Sequence, residues 1–483
     1  MLAAPLNARF QATVPSRSIC GRPCVHLTLP KPSRTLRSGN RHTIVQGALS
    51  DPKGAPLPPE DPFYNRVTEL DFFEQKFSGK VGFVTVMVGP RNCGKSRLLE
   101  TLAQQYAAEE IGPLYLNIDS RMTPVRSPEE ISTALVDVLT TEKFQNIKKY
   151  IGFDRFKELL SSLDIKVAVK GSSSLPFFDS EIQLELAKKL QKDEGNLTLT
   201  IKKYKKLLTA LGPLPTKPVI VIDEANELID WTEPDASQPK LKELLNFLVA
   251  ISKQKKQAHV VLATSDYFLA NWLPQAGMTD DKFEVEVLGD LTEEEAQKFF
   301  YGDDVAGEWH GIINLRSGTK EVPAGAKEQW PAIYERCGGN IGLLQQCVAK
   351  AQLIGNWDDA LQGVVAGPRS GIVRGFKPRV YIVKGGEAPL WTKEQWKMVL
   401  ERITTAPHHA VLVSELEKDL GDGDVEKGSE ILLSMVKYNL LVLRPWSVLA
   451  RDLPREVYGK KKTPVVTLPL PAHVWAAKDV LED

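Results

Sequence analysis

The octapeptide Gly89-Pro90-Arg91-Asn92-Cys93-Gly94-Lys95-Ser96 has the spacing G-x-x-x-x-G-K-[ST]. In this P-loop pattern, backbone N–H groups cradle a polyphosphate, the lysine neutralises its β and γ oxygens, and the hydroxyl holds Mg2+. The pattern carries that meaning only between a strand and a helix, and both are present. Upstream, Phe83 to Val88 is a short apolar, β-branched run that reads as a buried strand. Downstream, Arg97 to Tyr106 is rich in helix formers and carries Leu98, Leu99 and Leu102. The helix N-terminus adds N–H groups and a dipole that favour negative charge. Gly89 through Ser96, together with Arg97, are therefore the expected nucleotide-binding residues, with Ser96 as a metal ligand. No N-K-x-D guanine motif follows, so ATP is the expected nucleotide. Cys93 reads as a small residue tolerated in the loop, with an oxidation sensor as the alternative.

A second signal lies at Pro218 to Leu228. Four apolar residues run into Asp223-Glu224, which reads as a buried parallel strand delivering two carboxylates at its carboxyl end. That end is where open α/β sheets bind ligands. Asp223 fits a Mg2+-ordering role, direct or through water, and Glu224 fits the base or water-positioning role. His259 to Asp266 is another buried strand ending in polar residues, Thr264 and Ser265.

The formal charge of zero over 483 residues hides an asymmetry. Residues 1–50 hold seven Lys and Arg and no Asp or Glu, which leaves 54 basic against 61 acidic residues elsewhere, a net of −7. A polyanion-coating protein would be more basic than that. Lys202, Lys203, Lys205 and Lys206 read as a solvated helix face. The five cysteines form neither a disulfide framework nor a metal-ligand set. The acid-free leader, with hydroxyl residues and prolines but no long apolar core, reads as an organellar transit peptide. A chloroplast address is favoured over a mitochondrial one.

Phe63-Tyr-Asn65-Arg66-Val-Thr-Glu69-Leu70 sits one strand ahead of the P-loop. It resembles the F-x-N-R-x-x-E-L box that opens the archaeal-type ATPases, of the AAA+/STAND branch of P-loop proteins. Three further stretches look similar to that family. They are the strand Phe283 to Leu288, the run Leu291 to Phe300 with a Thr292/Glu295 capping box, and two helices broken at Gly338-Gly339-Asn340. The resemblance spans residues 63–350. It implies a helical lid, Asn65 and Arg66 on the nucleotide side, and Thr264 or Ser265 as the residue orienting the attacking water. Two departures stand out. Ile341 replaces the lid proline, and Lys282 stands where members often have arginine, with Arg336 as a possible substitute. Lysine does not replace a five-donor arginine at a transition-state charge, so a slow switch is expected rather than a fast motor.

Toward the C-terminus, residues 355–390 are Gly/Pro-rich with strand-like Val380 to Val383, and read as a connector. Helices from Thr392, from a Ser414/Glu417 cap and over 425–438, then strands at 440–444 and 465–470, give a winged-helix order. The expected fold is an α/β parallel sheet with a helical lid and a C-terminal winged-helix domain. Its boundaries are 1–48 transit peptide, 49–62 linker, 63–290 ATPase domain, 291–355 lid, 356–390 connector and 391–483 winged helix. A protein partner through the winged helix is favoured over nucleic acid, because Lys427 and Lys437 are offset by Asp424, Glu426 and Glu430.

Overall fold

Five short strands set the architecture. They are β1 (Val84–Val88), β2 (Tyr115–Asp119), β3 (Val219–Asp223), β4 (His259–Thr264) and β5 (Phe283–Val287). They form one parallel sheet in the order β2-β3-β4-β1-β5. Every residue of β1, β3 and β4 is buried, as expected where helices cover both faces. The alternation of side chains sorts them into two cores. Val84, Val86, Ile220, Ile222, Val260 and Leu262 face one layer, while Met87, Val219, Val221, Val261 and Ala263 face the other. The first layer is covered by α3 (Pro128–Thr140), α4 (Leu197–Leu211) and α5 (Ser237–Val249); the second is covered by α1 (Val67–Ser78) and α2 (Lys95–Ala108).

These elements come from a computed structural model that describes residues 64, 66–108, 113–140, 195–212, 216–231, 237–302, 311–315, 326–381 and 388–482. The leader, the linker, Asn65, and the elements expected at 143–163, 166–170 and 180–192 lie outside the described residues. Among the described residues, no helix is long and apolar enough to cross a membrane.

After β4 come α6 (Phe268–Gln275), and after β5 α7 (Glu293–Tyr301), the short α8 (Ile312–Leu315), α9 (Ala326–Cys337) and α10 (Ile341–Ile354). The Thr292/Glu295 capping box forms in full. At α3 only half of the expected box forms. Ser127 Oγ accepts from the Glu130 N–H, but the Glu130 carboxylate takes the N–H of Arg126.

The expected connector is mostly helix. Trp357–Gly375 forms the 19-residue α11, started by Asn356, whose side chain accepts from the N–H groups of Asp358 and Asp359. Its glycines recur every fourth residue, at 363, 367, 371 and 375, and so share one face. Neighbours use the space: a Cβ on Gly363 would lie 3.2 Å from Lys350 of α10, and one on Gly375 would lie 2.4 Å from Trp396 Nε1. Composition suggested a connector; close packing is what Gly363 and Gly375 serve, while Gly367 faces open space. Val380 and Tyr381 belong to a 3-10 turn rather than a strand.

The remainder comprises α12 (Lys393–Thr405), β6 (Val411–Leu412), α13 (Val413–Leu420), α14 (Val425–Lys437), β7 (Val442–Arg444), β8 (Val465–Thr467) and α15 (Pro471–Glu482). The strands form an antiparallel sheet in the order β6-β8-β7. Ser414 is not a cap, because the chain passes from β6 straight into α13 at Val413, whose N–H bonds Pro464 O. One continuous apolar core joins α7 and α9–α15, from Leu291 and Phe300 through Ile372 and Trp396 to Val466 and Ala476.

Candidate functional site

Parallel register builds the site. Val88 pairs with Thr264 and Asp223 with Ala263, so the chain leaving β1 emerges beside the carboxyl ends of β3 and β4. Gly89 is required at that exit, since a Cβ there would lie 2.5 Å from Leu288 O. Asn92 and Gly94 take positive φ, 61° and 100°, and curl the loop into a backbone nest. α2 begins at Lys95, so its first-turn N–H groups face the same concavity.

Within the loop, Lys95 is buried and its Nζ donates to the carbonyls of Gly89 and Pro90, each at 2.9 Å. Ser96 Oγ donates to Asp223 Oδ2 at 2.6 Å. Glu224 takes a left-handed backbone, φ 54° and ψ 45°, which ends β3 and turns its side chain onto the cleft. Such a conformation costs about 1–2 kcal/mol for a non-glycine residue, and strain of this kind clusters at working sites. Burial, and then the Asp223 charge, pushes the Glu224 carboxyl above its ordinary range, against the pull of Lys95 and Arg121.

The concavity is a cleft of about 840 Å3. Among the described residues, Arg66, Arg91, Lys95, Arg97 and Arg121 line it against Glu224 and Asp266, a balance suited to a polyanion. Tyr64, Phe299 and Ile341 add an aromatic and aliphatic wall, with the Tyr64 and Phe299 rings 5.4 Å apart.

The other expected site residues divide. Thr264 is buried and does not line the cleft: its hydroxyl donates to Asn226 Oδ1 at 2.8 Å and accepts from the Asp266 N–H at 2.9 Å. Its partner Asn226 and its neighbour Ser265 both line the cleft. Asp266 caps α6 through the Phe268 N–H. Arg66 is 1% exposed and is committed to the protein, donating to Cys93 O at 2.6 Å and Glu69 Oε1 at 3.0 Å. Cys93 is fully buried, and burial pushes its thiol pKa up, the opposite of a reactive sensor thiol.

Neither substitute cation serves the cleft. Lys282 precedes β5, whose first residue pairs with Val84, so it sits about 15 Å from the P-loop end of the sheet. Arg336 lies 4.5 Å over the Trp475 ring and donates to Ala332 O.

Sequence reading missed the residues that long-range folding supplies. Arg121, two residues beyond β2, reaches Asp223 and Ser96. Asn340, which caps α10, donates to Arg91 O at 3.0 Å and Asp290 Oδ1 at 2.9 Å, and the Gly342 N–H bonds Asn92 O. Arg451 donates to Glu69 and Glu295 from the far end of the chain.

Residues 63–346 match the domain family described as "ATPase domain predominantly from Archaea", more than half of the chain. The chain belongs to this family. An uncharacterized ATP-binding protein of Methanocaldococcus jannaschii is 24% identical over 391 residues, 79% of this chain and 94% of that protein. Another, from Pyrococcus abyssi, is 23% identical over 260 residues, 54% of this chain and 70% of that protein. Among solved structures, a Walker-type ATPase of Pyrococcus abyssi aligns over 87% of this chain and 97% of its own, at 15% identity and a TM-score of 0.47. Nucleotide binding by this archaeal-type ATPase domain follows from the family and its ATP-binding relatives. The P-loop, the Asp223 strand and the opening box all lie inside the matched residues.

Proposed function

We propose that the cleft binds ATP with Mg2+ and turns it over slowly. In this reading the nucleotide state moves a helical lid (α7–α10) and is passed to a winged-helix domain that engages a protein partner. The observation that carries the reading is the 2.6 Å contact of Ser96 Oγ with Asp223, on one cleft with Lys95 and Glu224. A hydroxyl and a carboxylate are hard oxygen donors that fit Mg2+ completed by phosphate oxygens and water. Bound there, the metal would neutralise charge on the β and γ phosphates.

Each residue then has a task. Lys95 leaves the Gly89 and Pro90 carbonyls to meet phosphate. The loop nest and α2 bind the β phosphate through N–H groups. Tyr64, Phe299 and Ile341 form the wall against which a base packs. Glu224, its proton affinity raised, orients or deprotonates the attacking water, and Ser265 and Asn226 supply further polar contacts. Slow turnover is supported by Arg336 being turned to Trp475 and Lys282 lying at the far end of the sheet.

The winged-helix reading rests on the order helix, strand, helix, helix, strand, strand over residues 393–467. A protein partner is favoured over nucleic acid because exposed Lys427 and Lys437 on α14 alternate with Glu426 and Glu430. The leader supports an organellar, chloroplast-directed protein, tested by fusing residues 1–48 to a fluorescent reporter. A cytosolic signal would reject that part.

Binding and phosphate-release assays with Lys95→Ala and Glu224→Gln test the core of the reading. Lys95→Ala is expected to lose ATP, and Glu224→Gln to retain ATP while turnover drops by about 100-fold. Equal phosphate release by Glu224→Gln and wild type would remove Glu224 from its role.

A further inference from the structure

The carboxyl end of β2 holds a cation where the proposed metal pair lies. β2 and β3 pair with Asp119 opposite Asp223, so a side chain rooted two residues past Asp119 crosses in front of Asp223. Arg121 does this with its fork. Its Nε donates to Asp119 Oδ1 at 2.9 Å and its Nη2 to Asp119 Oδ2 at 3.1 Å. The same Nη2 lies 3.2 Å from Ser96 Oγ and 3.2 Å from Asp223 Oδ2. Asp223 is buried, so its charge needs a counter-ion, and among the described residues Arg121 is its ion-pair partner. Lys95, another cation of the cleft, is bonded to loop carbonyls instead.

We propose that Arg121 is a built-in counter-cation for the Ser96–Asp223 pair that competes with Mg2+ for it. The inference rests on the reading of the cleft as a Mg2+–ATP site. Metal entry requires Nη2 to leave Asp223. The Asp119 fork keeps the guanidinium at the cleft mouth, where it faces the polyphosphate. Two consequences follow. Without metal, Arg121 supplies part of the positive charge that a nucleotide needs, so binding survives chelation. With metal, the displaced ion pair opposes Mg2+ and raises the concentration needed for half-saturation. Because the Arg121 side chain is 49% exposed, solvent screening holds each effect to about fivefold, the upper range for an exposed pair.

The test is binding of a fluorescent ADP analogue to the full chain, first in EDTA and then with Mg2+ titrated in. Wild type, Arg121→Ala, Arg121→Gln and Lys95→Ala are compared, with circular dichroism as the folding control. Both Arg121 variants are expected to bind about fivefold more weakly in EDTA and to reach half-effect at about fivefold less Mg2+. Lys95→Ala is expected to bind weakly under both conditions. If wild type binds and the Arg121 variants superpose on it, the inference falls while the nucleotide reading stands. If wild type binds no nucleotide with or without Mg2+, the reading of the cleft itself falls, and the inference with it. If both Arg121 variants lose the folded spectrum, the residue is structural and the inference is overturned.

Discussion

Glu69 is the group whose removal should be felt farthest from its own position. Its side chain is fully buried, it accepts from Arg66 Nη1 at 3.0 Å, and both its oxygens accept from Arg451 Nη2, at 2.9 and 3.2 Å. Arg66 continues to Cys93 O in the P-loop, and Arg451 to Glu295, the residue that closes the capping box of α7. One carboxylate thus joins the phosphate loop, the helix after the sheet, and the segment between β7 and β8. In Glu69→Ala, Arg66 keeps, among the described residues, only the Cys93 carbonyl as a hydrogen-bond partner while 1% exposed, and breaking a buried pair in this way costs about 3–5 kcal/mol. Arg451→Ala should cost less, about 1–2 kcal/mol, because Arg451 is a quarter exposed and Glu69 keeps Arg66. Urea denaturation followed by tryptophan fluorescence measures both, with unchanged slopes showing that the difference lies in stability. A loss below about 0.5 kcal/mol for Glu69→Ala, the range of an ordinary surface change, would refute the reasoning. ATP affinity should fall in the same order, since Glu69 anchors the Arg66 side chain that holds Cys93 O of the loop.

Two further outcomes are expected. Burial, and then the neighbouring Asp452 charge, raises the Asp290 carboxyl to about 7. The folded chain therefore binds this proton more tightly than the unfolded chain, and its contribution to stability falls as pH rises from about 4 to about 7. His259 and His473, held down to about 4 by burial, act in the opposite sense below their ordinary values. Asp290→Asn isolates the carboxyl: its stability relative to wild type should climb across that window by at most about 1.4 kcal/mol per pH unit, and flat parallel curves would contradict this. Second, a Cβ on Gly342 would lie 2.4 Å from Asn92 Cβ, so Gly342→Ala should push α10 off the P-loop at a cost of about 1–3 kcal/mol. Equilibrium binding should register this as ATP affinity weakened about tenfold or more; unchanged affinity would show that this contact does not shape the site.

The chemistry at the sheet's edge was legible in sequence because it is local. A phosphate loop needs its glycines and lysine within eight residues, a buried parallel strand needs an unbroken apolar run, and a capping box needs two residues three apart. Gly89–Ser96, Val219–Glu224 and Thr292/Glu295 each satisfy their requirement within one element, and each forms. Composition misled where tertiary packing reverses its meaning: glycines at 363 and 375 weaken a solitary helix yet let Lys350 and Trp396 approach α11 closely. Side-chain partners, too, were set by the fold. Thr264 ends the right strand but points its hydroxyl at Asn226, and Arg66 belongs to the right motif but spends its charge on Glu69 and Cys93 O.

By itself, then, the sequence determined that a parallel sheet carrying a P-loop would form and at which strand that loop would lie. Only the tertiary structure decided which charges meet there. Arg121 comes to Ser96 and Asp223 from another strand, and Arg451 to Glu69 across 382 residues of chain. Such pairings follow from strand order and register, which bring together side chains that no local pattern relates.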